Sequence, residues 1–201
     1  EKSEFITITG AKASGKTTLL NLLNKTLNVT SGSILVDNYD ITNFNNKQAT
    51  KYRKEVVSSC LKGFSLISNL TVKENIELLE KEDDKKNINI IIKKLGLTKV
   101  ENKFPSELSS SYAKLADIAR SLAKKPSIIL FDELDLHDKK DLKNVFTLLF
   151  NMIKKDNLTV IMITENPDII SLSNKVITLK NGAIDNIKIN KKPKLVGDLN
   201  W

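Results

Sequence analysis

The chain is poor in the residues that would point to several common classes of protein. It has one cysteine, Cys60, so no disulfide can form within it, which fits a reducing compartment. Its longest apolar runs, Ile128 to Phe131 and Val160 to Ile163, fall far short of the roughly 20 residues that cross a bilayer. No charged start leads into an apolar stretch with a small-residue cleavage site, so nothing marks it for secretion. Of its 32 basic residues only Arg53 and Arg120 are arginines, and the rest are lysines. The net charge of +8 invites a nucleic-acid reading, because clustered cations gain affinity by releasing counterions. Here the lysines are dispersed among abundant asparagines and the planar guanidinium fork is scarce, so the charge reads as a solvated surface and no nucleic-acid partner is expected.

What is present organises itself along the chain. With 201 residues, 40% of them hydrophobic, the sequence can bury one substantial core and reads as a single domain. Phe5 to Thr9 alternates β-branched and apolar residues and stops at Gly10, as a strand entering a turn does. From Lys16 onward, Leu19, Leu20, Leu22, Leu23 and Leu27 recur at helical spacing, so the loop opens directly into a helix. Ile34 to Asp37 and Val56 to Ser59 are further strand candidates, with turns expected at Asn38 and at Asn45-Asn46. The pattern is then helical over Val72 to Leu79, Ile88 to Leu95 and Ala113 to Leu122, with charged Glu80 to Lys86 as an exposed connection. Ser127 to Asp132, an apolar run ended by an acid, suits a buried parallel strand with its carboxylate at the C-terminal edge. Leu142 to Ile153 reads as helix and Leu158 to Thr164 as a second buried strand. Val176 to Leu179 and Ala183 to Ile189 read as a hairpin turning at Asn181-Gly182. Strands alternating with helices imply an α/β core.

Two motifs carry chemistry. Gly10-Ala11-Lys12-Ala13-Ser14-Gly15-Lys16-Thr17 matches the eight-residue phosphate loop at every defining position, between a strand and a helix. Its glycines let successive N–H groups face one anion, and the helix N-terminus adds its positive end. Lys16 would reach the β and γ phosphates of ATP, and Thr17 would offer a hydroxyl to Mg2+. At the end of the apolar run, Asp132 would hold the Mg2+ shell and Glu133 would orient and deprotonate an attacking water.

These motifs, with a helical stretch between them and Leu108-Ser109-Ser110-Ser111-Tyr112 ahead of the acid pair, resemble the ATP-binding subunits of ABC transporters over nearly the whole chain. Phe64 to Asn75, Pro105 to Ser109, Ile118 to Leu122 and Lys175 to Gly182 are similar to the macrolide-exporter and lipoprotein-release group. The resemblance implies a P-loop NTPase core of the ABC type with a helical subdomain at about 64–125, in one nucleotide-binding domain covering 1–201. It implies that Gly10, Ala13, Ser14, Gly15, Lys16, Thr17 and Thr18 bind the nucleotide, and that Ser109, Ser110 and Ser111 face the nucleotide of a second domain in a head-to-tail dimer.

The chain departs from the family at four places. Ser110, Ser111 and Tyr112 replace the two glycines and the glutamine of the signature, which places a Cβ where backbone should approach phosphate, while the signature serine survives as Ser109. Lys62 stands where the family's Mg2+-contacting glutamine belongs, and an ammonium has no lone pair for a metal. Glu165 stands at the switch histidine, where its charge would oppose the γ-phosphate. The loop after Glu133 is one residue short, with Asp138 as the counterpart of its last aspartate, and the only histidine, His137, has no assigned role. Lys62 and Glu165 are expected to compensate one another as an ion pair across the site. Only nine residues precede Gly10, so the strand bearing the family's adenine-stacking aromatic is expected to be missing.

The resulting expectation is an ATP-binding subunit at the cytoplasmic face of a membrane, paired with a transmembrane permease and with another ABC domain in a homo- or heterodimer. The retained Lys16, Thr17, Asp132 and Glu133 favour turnover. The altered signature, glutamine and histidine positions favour an alternative, a hydrolysis-deficient domain acting as an ATP-dependent regulator or scaffold.

Overall fold

A computed structural model describes residues 3–61, 65–78, 85–134 and 136–201. The apolar strands assemble into one sheet in the order β4 (Val57–Cys60), β5 (Ile128–Asp132), β6 (Thr159–Ile163), β1 (Phe5–Thr9), β7 (Lys175–Lys180) and β8 (Ala183–Ile189). All neighbours up to β7 pair in parallel, and β8 closes the edge as the antiparallel arm of a hairpin. A parallel sheet needs cover on both faces, which is why β5 and β6 in its interior are nearly continuous in apolar residues. Alternate side chains point to opposite sides. Phe5, Ile129, Phe131, Val160 and Met162 enter a core with α3 (Val72–Glu77), α4 (Lys85–Lys94), α5 (Ser110–Ala123) and α6 (Lys139–Asp156). Ile8, Leu130 and Ile163 enter the other, with Leu20 of α1 (Lys16–Leu23) and Tyr52 of α2 (Asn46–Glu55). The α/β expectation is borne out, and no described helix is long and apolar enough to cross a membrane.

Two expectations between α1 and β4 are corrected. Asn45-Asn46 is the start of α2, not a turn: the Asn45 side chain accepts the Gln48 N–H at 2.9 Å, and the Gln48 side chain accepts the Asn45 N–H at 2.9 Å. That reciprocal box satisfies two of the backbone N–H groups a helix start leaves orphaned. The strand expected over Ile34 to Asp37 shrinks to β2 (Leu35–Val36), which pairs only with β3 (Tyr39–Asp40), outside the main sheet. Asp37 and Asn38 take left-handed φ values of 50° and 66°, the backbone a two-residue hairpin turn demands.

The segment leading into α3 is held by one buried amide. Asn75 Nδ2 lies within hydrogen-bond reach of the carbonyls of Ile67, Leu70 and Thr71 at 2.9 to 3.0 Å, and Asn75 Oδ1 accepts the Ile67 N–H at 2.7 Å. Asn75→Ala should therefore lower unfolding free energy by about 2 kcal/mol, since several half-buried backbone groups lose their partner. A denaturant titration with an unchanged midpoint would refute this. Upstream, Ser65 donates to Asp117 of α5 and accepts from Arg120 at 2.9 Å, which ties the same segment to α5. Burial raises the Asp117 carboxyl above its ordinary value. Burial, with Asp117 nearby, pushes the Cys60 thiol up to about 12, so Cys60 stays protonated as a core residue.

Candidate functional site

The site is assembled at the C-terminal ends of β1, β5 and β6. At the end of β1 the chain must turn tightly into α1. Gly10 has φ 136°, and a Cβ there would overlap the Leu179 carbonyl oxygen of β7, so only glycine fits. Ala13 and Gly15 are left-handed at 63° and 97°, and the Ser14 N–H closes back on Ala11 O at 3.1 Å. The β7–β8 turn braces this loop, with the Gly182 N–H donating to Ser14 O at 3.1 Å.

Sequence also explains why α1 is poised for an anion. Among the described residues, five other helices start with a side chain capping their free N–H groups: Asn45, Thr71, Ser109, Asp138 and Asn166. In α1 the cap position is Gly15, which has no side chain to offer, and no acid lies in the first turn. The leading amides of α1 are thus left open toward an open cavity of about 960 Å3. Among the described residues Ser14 Oγ has no hydrogen-bond partner and is buried at the same place, a donor awaiting an acceptor.

The cavity wall gathers Gly10, Ala13, Ser14, Gly15, Lys16, Thr17, Thr18, Asp132, Glu133 and Glu165. Thr9 and Thr178, which no sequence motif singles out, also line it, from β1 and β7. Their hydroxyls are 3.1 Å apart, and only the pairing of β1 with β7 makes them neighbours. Thr17 Oγ1 donates to Asp132 Oδ2 at 3.1 Å, so the two oxygens expected around a cation already stand together. The pair offers a cation one hydroxyl and one carboxylate oxygen, which leaves most of its shell to other oxygens. That arrangement is the habit of Mg2+, which keeps one or two protein ligands beside phosphate oxygens and water. Glu133 follows Asp132 with φ 60°, a left-handed turn that carries its side chain to the cavity wall.

Lys16 is bent back over the loop, donating to the Gly10 carbonyl and to Ala11 O at 2.9 Å. Glu165 meets it there, with Oε1 at 3.7 Å from Lys16 Nζ and at 3.1 Å from the Gly10 N–H, which it accepts. Among the described residues Lys16 is the cation facing Glu165; Lys62, the expected partner, lies outside them. Ser109, Ser110 and Ser111 are not in this cavity: they form the start of α5, where Ser109 Oγ accepts the Tyr112 N–H at 3.4 Å.

An uncapped helix start, a lysine and a hydroxyl-carboxylate pair around one cavity make a fitting receptacle for a phosphate chain with a divalent cation. The sequence profile of the family described as ABC transporter matches residues 1–135. The chain belongs to the ABC transporter family. Over 192 residues it is 33% identical to the bacitracin export ATP-binding protein BceA of Halalkalibacterium halodurans, covering 92% of this chain and 76% of that protein. It is 32% identical to the lipoprotein-releasing system ATP-binding protein LolD of Buchnera aphidicola, over 93% of this chain and 85% of that one. Both relatives agree with the exporter and lipoprotein-release resemblance. A putative ABC transporter ATP-binding protein of Mycoplasma pneumoniae is 34% identical over 98% of the chain, which spans only 44% of that relative's length. In structure, the ATP-binding cassette MJ0796, a dimer bound to ADP and phosphate, matches with TM-score 0.86 and 27% identity, over 94% of this chain and 86% of that one.

Proposed function

We propose that this ABC-family chain is a nucleotide-binding domain that couples ATP to membrane transport through a permease. The observation that carries the reading is the open N-terminus of α1 facing a cavity beside the Thr17–Asp132 pair. Gly10 to Thr18 hold the phosphates, with Lys16 neutralising their charge. Thr17 and Asp132 hold Mg2+, which when bound supplies positive charge at the phosphate oxygens. Glu133 orients the attacking water and takes its proton. The segment 1–201 acts as one nucleotide-binding domain, with a helical subdomain at about 64–125.

Ser109, Ser110 and Ser111 lie away from the chain's own cavity, which supports a role toward the nucleotide of a second ABC domain in a homo- or heterodimer. The likeness to a dimeric cassette supports the same assembly. Placement at the cytoplasmic face of a membrane, beside its permease, goes with the family's transport role. The hydrolysis-deficient alternative finds no support among the relatives, and a phosphate-release assay decides it. Glu133→Gln should lower the rate on the order of 100-fold, the usual loss on removing a general base. A wild-type rate equal to that of the variant would refute turnover.

A further inference from the structure

Glu165 brings negative charge to a cradle built for anions, and its surroundings give that charge a use. Its backbone is fixed on both sides. The Thr164 N–H donates to Ile8 O at 3.2 Å, Thr164 Oγ1 accepts the Asn166 N–H at 3.1 Å, and Asn166 caps α7 (Pro167–Ser171) by accepting the Asp168 N–H at 2.9 Å. From this anchored corner the carboxylate reaches the Gly10 N–H at 3.1 Å and the Lys16 ammonium at 3.7 Å. Lys16 is also bound to the carbonyls of Gly10 and Ala11. The ammonium that a phosphate requires is thus engaged by three oxygens of the chain itself. Carboxylate and phosphate are both oxygen anions, and they compete for the same cation.

Resting on the reading of the cradle as a nucleotide site, we propose that Glu165 is a tethered competitor of phosphate that sets the selectivity between nucleoside triphosphate and diphosphate. A nucleotide uses Lys16 fully only by displacing Glu165 or by accepting its charge nearby. The penalty grows with the nucleotide's own charge, and a triphosphate carries about one more negative charge than a diphosphate. The side chain of Lys16 is only 12% exposed while that of Glu165 is 62% exposed, so the carboxylate can swing into water by giving up the Gly10 N–H and the Lys16 ammonium. That exposure also makes the competition sensitive to salt. ATP is disfavoured relative to ADP by a residue outside the phosphate-loop sequence that reaches its first glycine and its lysine.

The test is calorimetric titration of ATP and of ADP, each with Mg2+, into wild type, Glu165→Gln, Glu165→Ala and a remote control, Glu77→Gln. The glutamine keeps a carbonyl to accept the Gly10 N–H, and the alanine removes the same charge by a second route, so a folding defect in one leaves the other readable. Glu77 lies on α3, 3.9 Å from Lys73, and its substitution removes one charge elsewhere. Loss of the Glu165 charge should tighten ATP on the order of tenfold and ADP on the order of threefold, with both gains shrinking at high salt and Glu77→Gln without effect. Nucleotide binding that is equal in wild type and both Glu165 variants, or tightened equally for ATP and ADP, would overturn the role of Glu165 and leave the nucleotide site standing. Failure of every protein to bind either nucleotide would overturn the site itself.

Discussion

Lys16→Met is expected to weaken ATP binding by about 100-fold, the loss of a charge-assisted contact to phosphate in a partly enclosed site. The methionine keeps the length of the stem but removes the cation around which the cradle is arranged. Among the described residues Lys16 is the basic side chain that crosses back over the loop to Gly10, Ala11 and Glu165, and Lys12, on the same cavity wall, is exposed. The uncapped amides of α1 would remain and would keep a residual affinity for phosphate. Calorimetry checks this, with thermal melting as the control for folding. An affinity within about threefold of wild type would mean that the helix N-terminus alone binds the phosphates.

Gly10→Ala should be the most damaging alanine substitution among the described glycines, costing about 3 kcal/mol and lowering the melting temperature by about 10 °C. Two causes act together. The backbone at φ 136° is strained for any residue with a side chain, and the added Cβ collides with the carbonyl oxygen of Leu179, a backbone atom of the neighbouring strand that cannot rotate away. Gly32 is the comparison. Its φ is 83°, yet nothing lies within 4 Å of a Cβ placed there, so Gly32→Ala should cost only about 1 kcal/mol of backbone strain. Because Gly10 sits where β1 meets the phosphate loop, the variant should also lose nucleotide binding through displacement of β7 and its turn. Equal melting of the two variants would show that steric overlap with β7 contributes nothing.

Where a segment's character depends on its own residues, the amino-acid pattern already displays it. Periodicity marks β1, α1, β5, β6 and the closing hairpin, because each buries an apolar face whose spacing is written into the chain. The core of α6 is visible too, though the structure extends it to Lys139–Asp156, with Asp138 as the cap that sets its start. The helix α2 escapes a reading by periodicity because it has little apolar content and begins on asparagines, which serve turns and helix caps equally well. Its Asn45…Gln48 box is the available signal. The short α7 has a similar one in Asn166-Pro167, a capping residue followed by the imino acid that helices accept at their first position.

The phosphate loop, the Asp132-Glu133 pair at a strand end and the alternation of strands and helices are all legible along the chain. Each is a local pattern whose chemistry depends on residues near one another in the chain. Which distant groups share the cavity follows from packing alone. The parallel pairing of β6 with β1 brings Glu165 to Gly10 and Lys16, 155 positions from the first of them, and α1 against β5 brings Thr17 to Asp132. Strand order is set by how all the apolar faces can be covered at once, and that collective packing is not encoded in any single segment.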